Sequence, residues 1–251
     1  MNPLNGIKNL LMHPYARKGF IFLLSLIAAS SHAQTGPIDS TADPVYKMYM
    51  TSVGGASNLF NGTEYTAYYP STRGTPFWDT AGFKTGTLSY GGVVYKDIPI
   101  AYDLVSNEVL IRGYRQLVIK LDPARIDFFR VAGHLFVKFN GDANSRNLIP
   151  VDIYDMVYNG ATKVYVKRRK QVARNIGEDG RYPFLTYNAF FVYKDGMYHD
   201  VSKRNDLLAI FKDKSDAIKT FWKQEKLNFK TGAERMIAET AAYYDRIKNE
   251  R

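Results

Sequence analysis

The sequence predicts an α+β fold, mainly β, in which an antiparallel β-meander closes into a sandwich or open barrel and a helical C-terminal segment packs on it. Three observations predict it. Between residues 58 and 201 the chain breaks into about ten short apolar-aromatic runs. Most of these runs are separated by turn dipeptides. After Val201 the apolar spacing lengthens from two residues to about 3.6.

Taken in order, Thr87–Tyr90 and Val93–Lys96 flank Gly91-Gly92, a two-residue hairpin signal. Ile98–Leu104 and Glu108–Arg112 join across Ser106-Asn107, and Gln116–Leu121 is closed by Asp122-Pro123. Ile126–Arg130 and His134–Phe139 meet across Ala132-Gly133. Val151–Tyr158 and Thr162–Val172 flank Asn159-Gly160, and Thr186–Lys194 and Met197–Val201 flank Asp195-Gly196. Asn-Gly and Asp-Gly suit turns whose two central residues need positive φ. Beyond the strands, Asp206–Phe211 reads as a short helix, and Asp213–Lys226 places Ala217, Ile218, Phe221 and Trp222 on one helical face. Thr231-Gly232-Ala233-Glu234 has the form of a capping box with Thr231 at the N-cap. The helix it opens aligns Ala233, Met236, Ile237, Thr240, Ala241, Tyr244 and Ile247, a stripe that has to pack on something.

Residues 1–33 read as a secretory signal. Lys8, Arg17 and Lys18 precede the apolar run Gly19–Ala29, and Ser31-His32-Ala33 offers a small-residue cleavage site before Gln34. The run is about half the ~20 residues that spanning requires. Residues 34–57, rich in Gly, Pro, Ser and Asp, read as a mobile leader. The expected destination is the periplasm or the exterior, with no transmembrane span after signal removal. Short strands and a charged helical end argue against an outer-membrane barrel. Removing residues 1–33, which hold three basic and no acidic residues, lowers the formal charge from +10 to +7. That mild excess suits an anionic envelope component, and export disfavours nucleic acid. With no Cys in the chain, disulfides, thiolate metal sites and a lipidated cysteine are excluded.

Chemistry is harder to find. Only His134 and His199 lie beyond the signal, and neither has a second His at ligand spacing. The metalloprotease, calcium-loop, nucleophile-elbow, phosphate-loop and dinucleotide patterns do not occur, so no catalytic, cofactor-binding or metal-ligating residue is assigned and no cofactor is expected. Two carboxylates facing one cleft would suffice for a glycan hydrolase, with Glu64, Asp79, Asp97, Asp103 and Glu108 the candidates. The segment Tyr65–Trp78 is the densest in aromatics. Tyr65, Tyr68, Tyr69, Arg73, Phe77 and Trp78 form its candidate interaction surface, weighed against a role in covering the open end of the sheet. The run Lys167-Arg168-Arg169-Lys170 would send Lys167 and Arg169 to one face and Arg168 and Lys170 to the other. Charge on both faces reads as a solvated edge strand, in preference to an anion site.

The spacings Leu59–Tyr65 (LFNGTEY), Gly74–Trp78 (GTPFW), Gly86–Tyr95 and Tyr102–Leu104, with Phe191–Tyr198 (FVYKDGMY), Phe211–Lys214 and Lys226–Lys230, resemble a group of uncharacterised exported β-rich proteins of Bacteroidota-type Gram-negative bacteria. The resemblance spans most of the mature chain and implies an envelope location, the periplasm first. It brings no site residues. The expected role is a non-enzymatic cell-envelope protein that binds or scaffolds another protein. The alternatives are a glycan-acting hydrolase with paired carboxylates and a carrier of an apolar ligand inside the β domain.

Overall fold

Strands form where the apolar-aromatic runs stand. The computed structural model describes residues 58–67, 69–80, 82–113, 116–141 and 149–248; the signal, the leader and Tyr68 lie outside them. The strands are β1 (Thr63–Glu64), β2 (Thr72–Arg73), β3 (Lys84–Tyr90), β4 (Val93–Asp103), β5 (Glu108–Arg112) and β6 (Val118–Lys120). They continue with β7 (Ile126–Val131), β8 (His134–Phe139), β9 (Asp152–Asn159), β10 (Lys163–Val172), β11 (Tyr182–Lys194) and β12 (Met197–Val201). One sheet takes the order β1-β6-β5-β4-β3-β7-β8-β9-β10-β11-β12, while β2 joins the start of β11 in parallel. The antiparallel meander is therefore the architecture, and the sheet is not closed.

Turn chemistry accounts for most of the register. Gly91-Gly92, Ala132-Gly133 and Asp195-Gly196 all have positive φ at both residues, as tight hairpins demand. Asn159-Gly160 behaves otherwise. Asn159 pairs with Lys163, so the loop is Gly160–Thr162, and neither Asn159 nor Gly160 takes positive φ. The loop is held instead by Asp245 from the C-terminal helix, which accepts from Thr162 N (2.9 Å), Thr162 Oγ1 (2.7 Å) and the Tyr158 hydroxyl (3.0 Å). A Cβ at Gly160 would displace the Tyr158 hydroxyl and the Asp245 carboxylate, so what glycine supplies there is close approach rather than φ.

The sheet curls strongly. Lys170 N donates to Leu104 O at 3.0 Å, which brings β10 to the end of β4 although β3, β7, β8 and β9 lie between them in the sheet. Pro76–Trp78 lies on the same end: Trp78 N donates to Tyr102 O (2.8 Å) and Leu104 N to Pro76 O (3.0 Å). The curled half is filled by side chains. Phe129 and Phe136 stack with centroids 4.7 Å apart, and Tyr102 meets both edge-on. Leu88, Tyr90, Ile100 and Ile111 complete this core. These side chains pack against one another inside the curl.

The other half of the sheet uses both faces. Val164 and Val192, partners in the β10–β11 ladder, face the helices, while the next pair, Tyr165 and Phe191, joins an aromatic cluster with Tyr154 and Tyr198 on the opposite side. The helices are α1 (Arg204–Ile210), α2 (Ser215–Gln224) and α3 (Phe229–Ile247). Met236, Ile237, Thr240, Ala241 and Tyr244 of α3 are buried against Ile218 and Trp222 of α2 and against the valines of β10 and β11, as the stripe requires. Trp222 Nε1 donates to Thr240 Oγ1 at 2.7 Å, which satisfies both polar atoms inside that core. The capping box at Thr231 does not form. Asn228 is the N-cap, accepting from Lys230 N, and Gly232 breaks the helix with non-helical backbone (φ −161°, ψ 56°). Glu234 is thereby free to point at the sheet.

Candidate functional site

The aromatic segment holds itself down. Asp103, fully buried at the end of β4, accepts from Val105 N (2.7 Å) and Ser106 N (3.1 Å) through Oδ1, which closes the β4–β5 turn. Its Oδ2 accepts from the hydroxyls of Tyr65 (2.6 Å) and Tyr69 (3.1 Å). Burial, reinforced by Asp103, raises the ionisation of both phenols, to about 12 for Tyr69 and further for Tyr65. Phe77 bridges to Asp103 in the backbone, and Lys170 Nζ donates to Thr75 O (2.9 Å) and Phe77 O (2.5 Å). Arg73, on β2, is more than half exposed and lies 3.5 Å from Asp179. Trp78 turns inward. Of the predicted surface, then, Tyr65, Tyr69, Phe77 and Trp78 are engaged within the fold, Arg73 faces solvent, and Tyr68 lies outside the described residues.

The Lys167–Lys170 run is not a solvated edge strand. β10 is flanked by β9 and β11, and Lys167 and Arg168 are 5% and 7% exposed. The expected alternation of faces does hold, and each face finds carboxylates. Lys167 Nζ reaches Asp152 Oδ1 (2.8 Å) and Asn107 Oδ1 (2.8 Å), with Arg169 3.7 Å from the other Asp152 oxygen. Burial lowers the Lys167 pKa despite Asp152; the bonds from Lys167 and Asn107 hold Asp152 below the usual carboxylate range against its own burial. On the opposite face Arg168 donates to Asp155 Oδ2 through Nε (2.7 Å) and Nη2, and to both oxygens of Glu234 (3.0 and 2.9 Å). Burial alone would lower the Arg168 pKa, but Glu234 and Asp155 outweigh it and raise it.

Around this guanidinium lies the most chemically loaded place in the molecule. His134 Nδ1 sits 2.7 Å from Asp155 Oδ2, and Trp78 packs edge-on against the imidazole at 4.6 Å while offering its face to Arg168 at 4.9 Å. Asp155 is 1% exposed. Its Oδ1 and the Trp78 Nε1 have no hydrogen-bond partner among the described residues. His134, Asp155 and Glu234 of this cluster line a cleft of about 680 Å³ between β8, β9 and the start of α3, with Arg130 and Arg235 also on its wall. A signal for it did exist in the sequence: once Asn159-Gly160 is read as a hairpin, Asp152 and Asp155 on one arm lie across from the four basic residues on the other. Glu234 and Trp78 had none, because only the helix break and the curl of the sheet bring them in.

The five candidate carboxylates do not assemble into a cleft pair. Glu64 and Asp97 are exposed, on β1 and at a positive-φ residue of β4 respectively. Asp79 is half-buried after Trp78. Asp103 and Glu108 are brought together as cross-strand partners, but Asp103 is saturated by four donors and Glu108 pairs with Lys120 at 3.1 Å. A nucleophile needs an accessible oxygen, and Asp103 is fully buried. Among the described residues no group of three or more His, Asp or Glu side chains could hold a metal ion, and no helix is long and apolar enough to cross a membrane. Comparison with protein-family models, with curated proteins and with solved structures finds no match to this chain.

Proposed function

We propose that this chain is an exported cell-envelope protein, periplasmic or secreted, that binds another protein by strand addition and catalyses no reaction. The observation that supports this reading is the outer edge of β11. β2 covers Tyr182 and Pro183, and β12 covers Phe190–Lys194; among the described residues nothing pairs with Phe184–Ala189 on that side. Leu185–Ala189 are all exposed, with Leu185 and Tyr187 at 43% and 51%. From Tyr182 to Tyr193 the strand carries no charge. Edges are usually blunted by charges, and here the Lys and Arg of the adjacent strand are partly turned inward instead. An extended segment laid on this edge gains main-chain hydrogen bonds, with Leu185 and Tyr187 supplying side-chain contacts. Arg169, Arg174 and Arg181 stand exposed around it, Arg169 beside Asp152 and Arg181 beside Asp179, and an acidic partner segment would suit the exposed Arg174.

The test is a photoreactive amino acid at Tyr187, expressed from the full-length chain in the producing bacterium. A control position is Asp216, whose side chain is 94% exposed on α2. A discrete adduct to a second envelope protein from position 187 alone, lost in Leu185→Lys, is the expected result. No adduct, or one only to another copy of this chain, would overturn strand addition to a partner. Fractionation checks export: a mature N-terminus at Gln34 in the envelope is expected, and cytoplasmic chain still carrying residues 1–33 would refute it.

A further inference from the structure

The cleft beside His134 supports a second site that is independent of the β11 edge. β8 and β9 pair only from Phe136–Asp155 to Phe139–Asp152, and a bulge in the β9–β10 ladder follows at once. The two strands part there, so the start of β8 and the end of β9 leave a wedge that Gly232, Glu234 and Ala238 of α3 roof over. About 680 Å³ is the size of a small-molecule site, well beyond the room a bound water needs.

The lining chemistry selects the ligand. At the floor, Asp155 is an almost fully buried carboxylate with one oxygen taken by Arg168 and His134 and the other without a partner among the described residues. A buried acceptor of this kind calls for a donor. An ammonium would suffer from Arg168, which already touches the same carboxylate, so a neutral hydroxyl is the fitting donor. Glu234 spends both oxygens on Arg168. On the wall, Arg130 is exposed, and Arg235 is held by Glu239 at 2.7 Å. Arg168 is shared between Asp155 and Glu234 and Arg235 is paired with Glu239, so among the described residues Arg130 is the wall guanidinium without a carboxylate partner, and it suits an anion. Leu135, Met156 and Val157 supply apolar wall between the two ends. The geometry points to a binding site for a small polyhydroxylated anion, an acidic sugar whose hydroxyl meets Asp155 and whose negative group meets Arg130.

Isothermal titration of the mature chain would use glucuronate and glucose 6-phosphate, which share this chemistry and separate a carboxylate from a phosphate source. Glucose, acetate, inorganic phosphate and glucosamine serve as controls lacking one element each. Saturable binding of at least one hydroxylated anion is expected, about tenfold or more tighter than any control, the equivalent of one lost charge-assisted contact. Arg130→Gln, at an exposed position, should weaken it about tenfold with the unfolding midpoint unchanged. Asp155→Asn, if it folds, should weaken the hydroxylated anions and leave acetate as it was. Absence of binding by both hydroxylated anions, equal binding of acetate or phosphate, or full affinity in Arg130→Gln would each overturn the site.

Discussion

Replacing Arg168 by Met tests whether β10 is an internal strand with buried charges. On a solvated edge strand the change would cost under about 0.5 kcal/mol. In the fold, the Arg168 side chain is 8% exposed and that of Asp155 1%, so the substitution strands a carboxylate out of water with only His134 beside it. Breaking a buried pair from one side costs about 3–5 kcal/mol, mostly the penalty of the orphaned charge. The Glu234 limb adds little, because Glu234 is 35% exposed and its attraction is screened. For a domain of this size, 3–5 kcal/mol is roughly a 6–20 °C fall in Tm. Urea unfolding, followed by circular dichroism, measures it, with an unchanged m-value showing that the native state is intact. Adding Asp155→Asn to Arg168→Met removes the orphaned charge and should restore a substantial part of the loss. A single mutant costing under about 1 kcal/mol, or a double mutant no more stable than the single, would refute the buried network.

Three further outcomes are expected. The phenols of Tyr65 and Tyr69 ionise later in the fold than free tyrosine, so their contribution is complete below pH ~10 and lost as pH rises through about 12 and beyond. Absorbance at 295 nm and circular dichroism should show the late phenols ionising together with unfolding, and Tyr69→Phe should flatten that alkaline slope. Asp152 ionises more readily in the fold, so its contribution is present above its unfolded pKa of ~4 and lost as pH falls below it. In Lys167→Met that acid transition should move to higher pH, readable in an acid titration by fluorescence. Asp245→Ala leaves Thr162 N and Oγ1 and the Tyr158 hydroxyl without their acceptor, at a cost of about 1–3 kcal/mol, and hydrogen exchange at the Thr162 amide should accelerate while that of Val192 does not.

What the sequence by itself determined is local. Alternation and turn dipeptides placed β3 against β4, β7 against β8 and β11 against β12, because hairpin register depends on a few adjacent residues whose backbone preferences are short-ranged. The α3 stripe was legible for the same reason, since a helix writes its buried face at fixed spacing. Tertiary structure decided whatever depended on distant chain. Lys167 and Arg168 read as solvated because charge on both faces of a strand implies an edge; only the sheet order makes β10 internal and sets carboxylates of β9 and α3 beside it. Asn159-Gly160 read as a positive-φ turn, and Asp245, far along the chain, held it in another shape. Tyr65, Tyr69 and Trp78 looked like a display of aromatics until the curl of the sheet brought Asp103, Arg168 and His134 to them. A side chain's role is set by which opposite charge or hydrogen-bond partner arrives, and a single strand's pattern carries no record of what arrives from elsewhere.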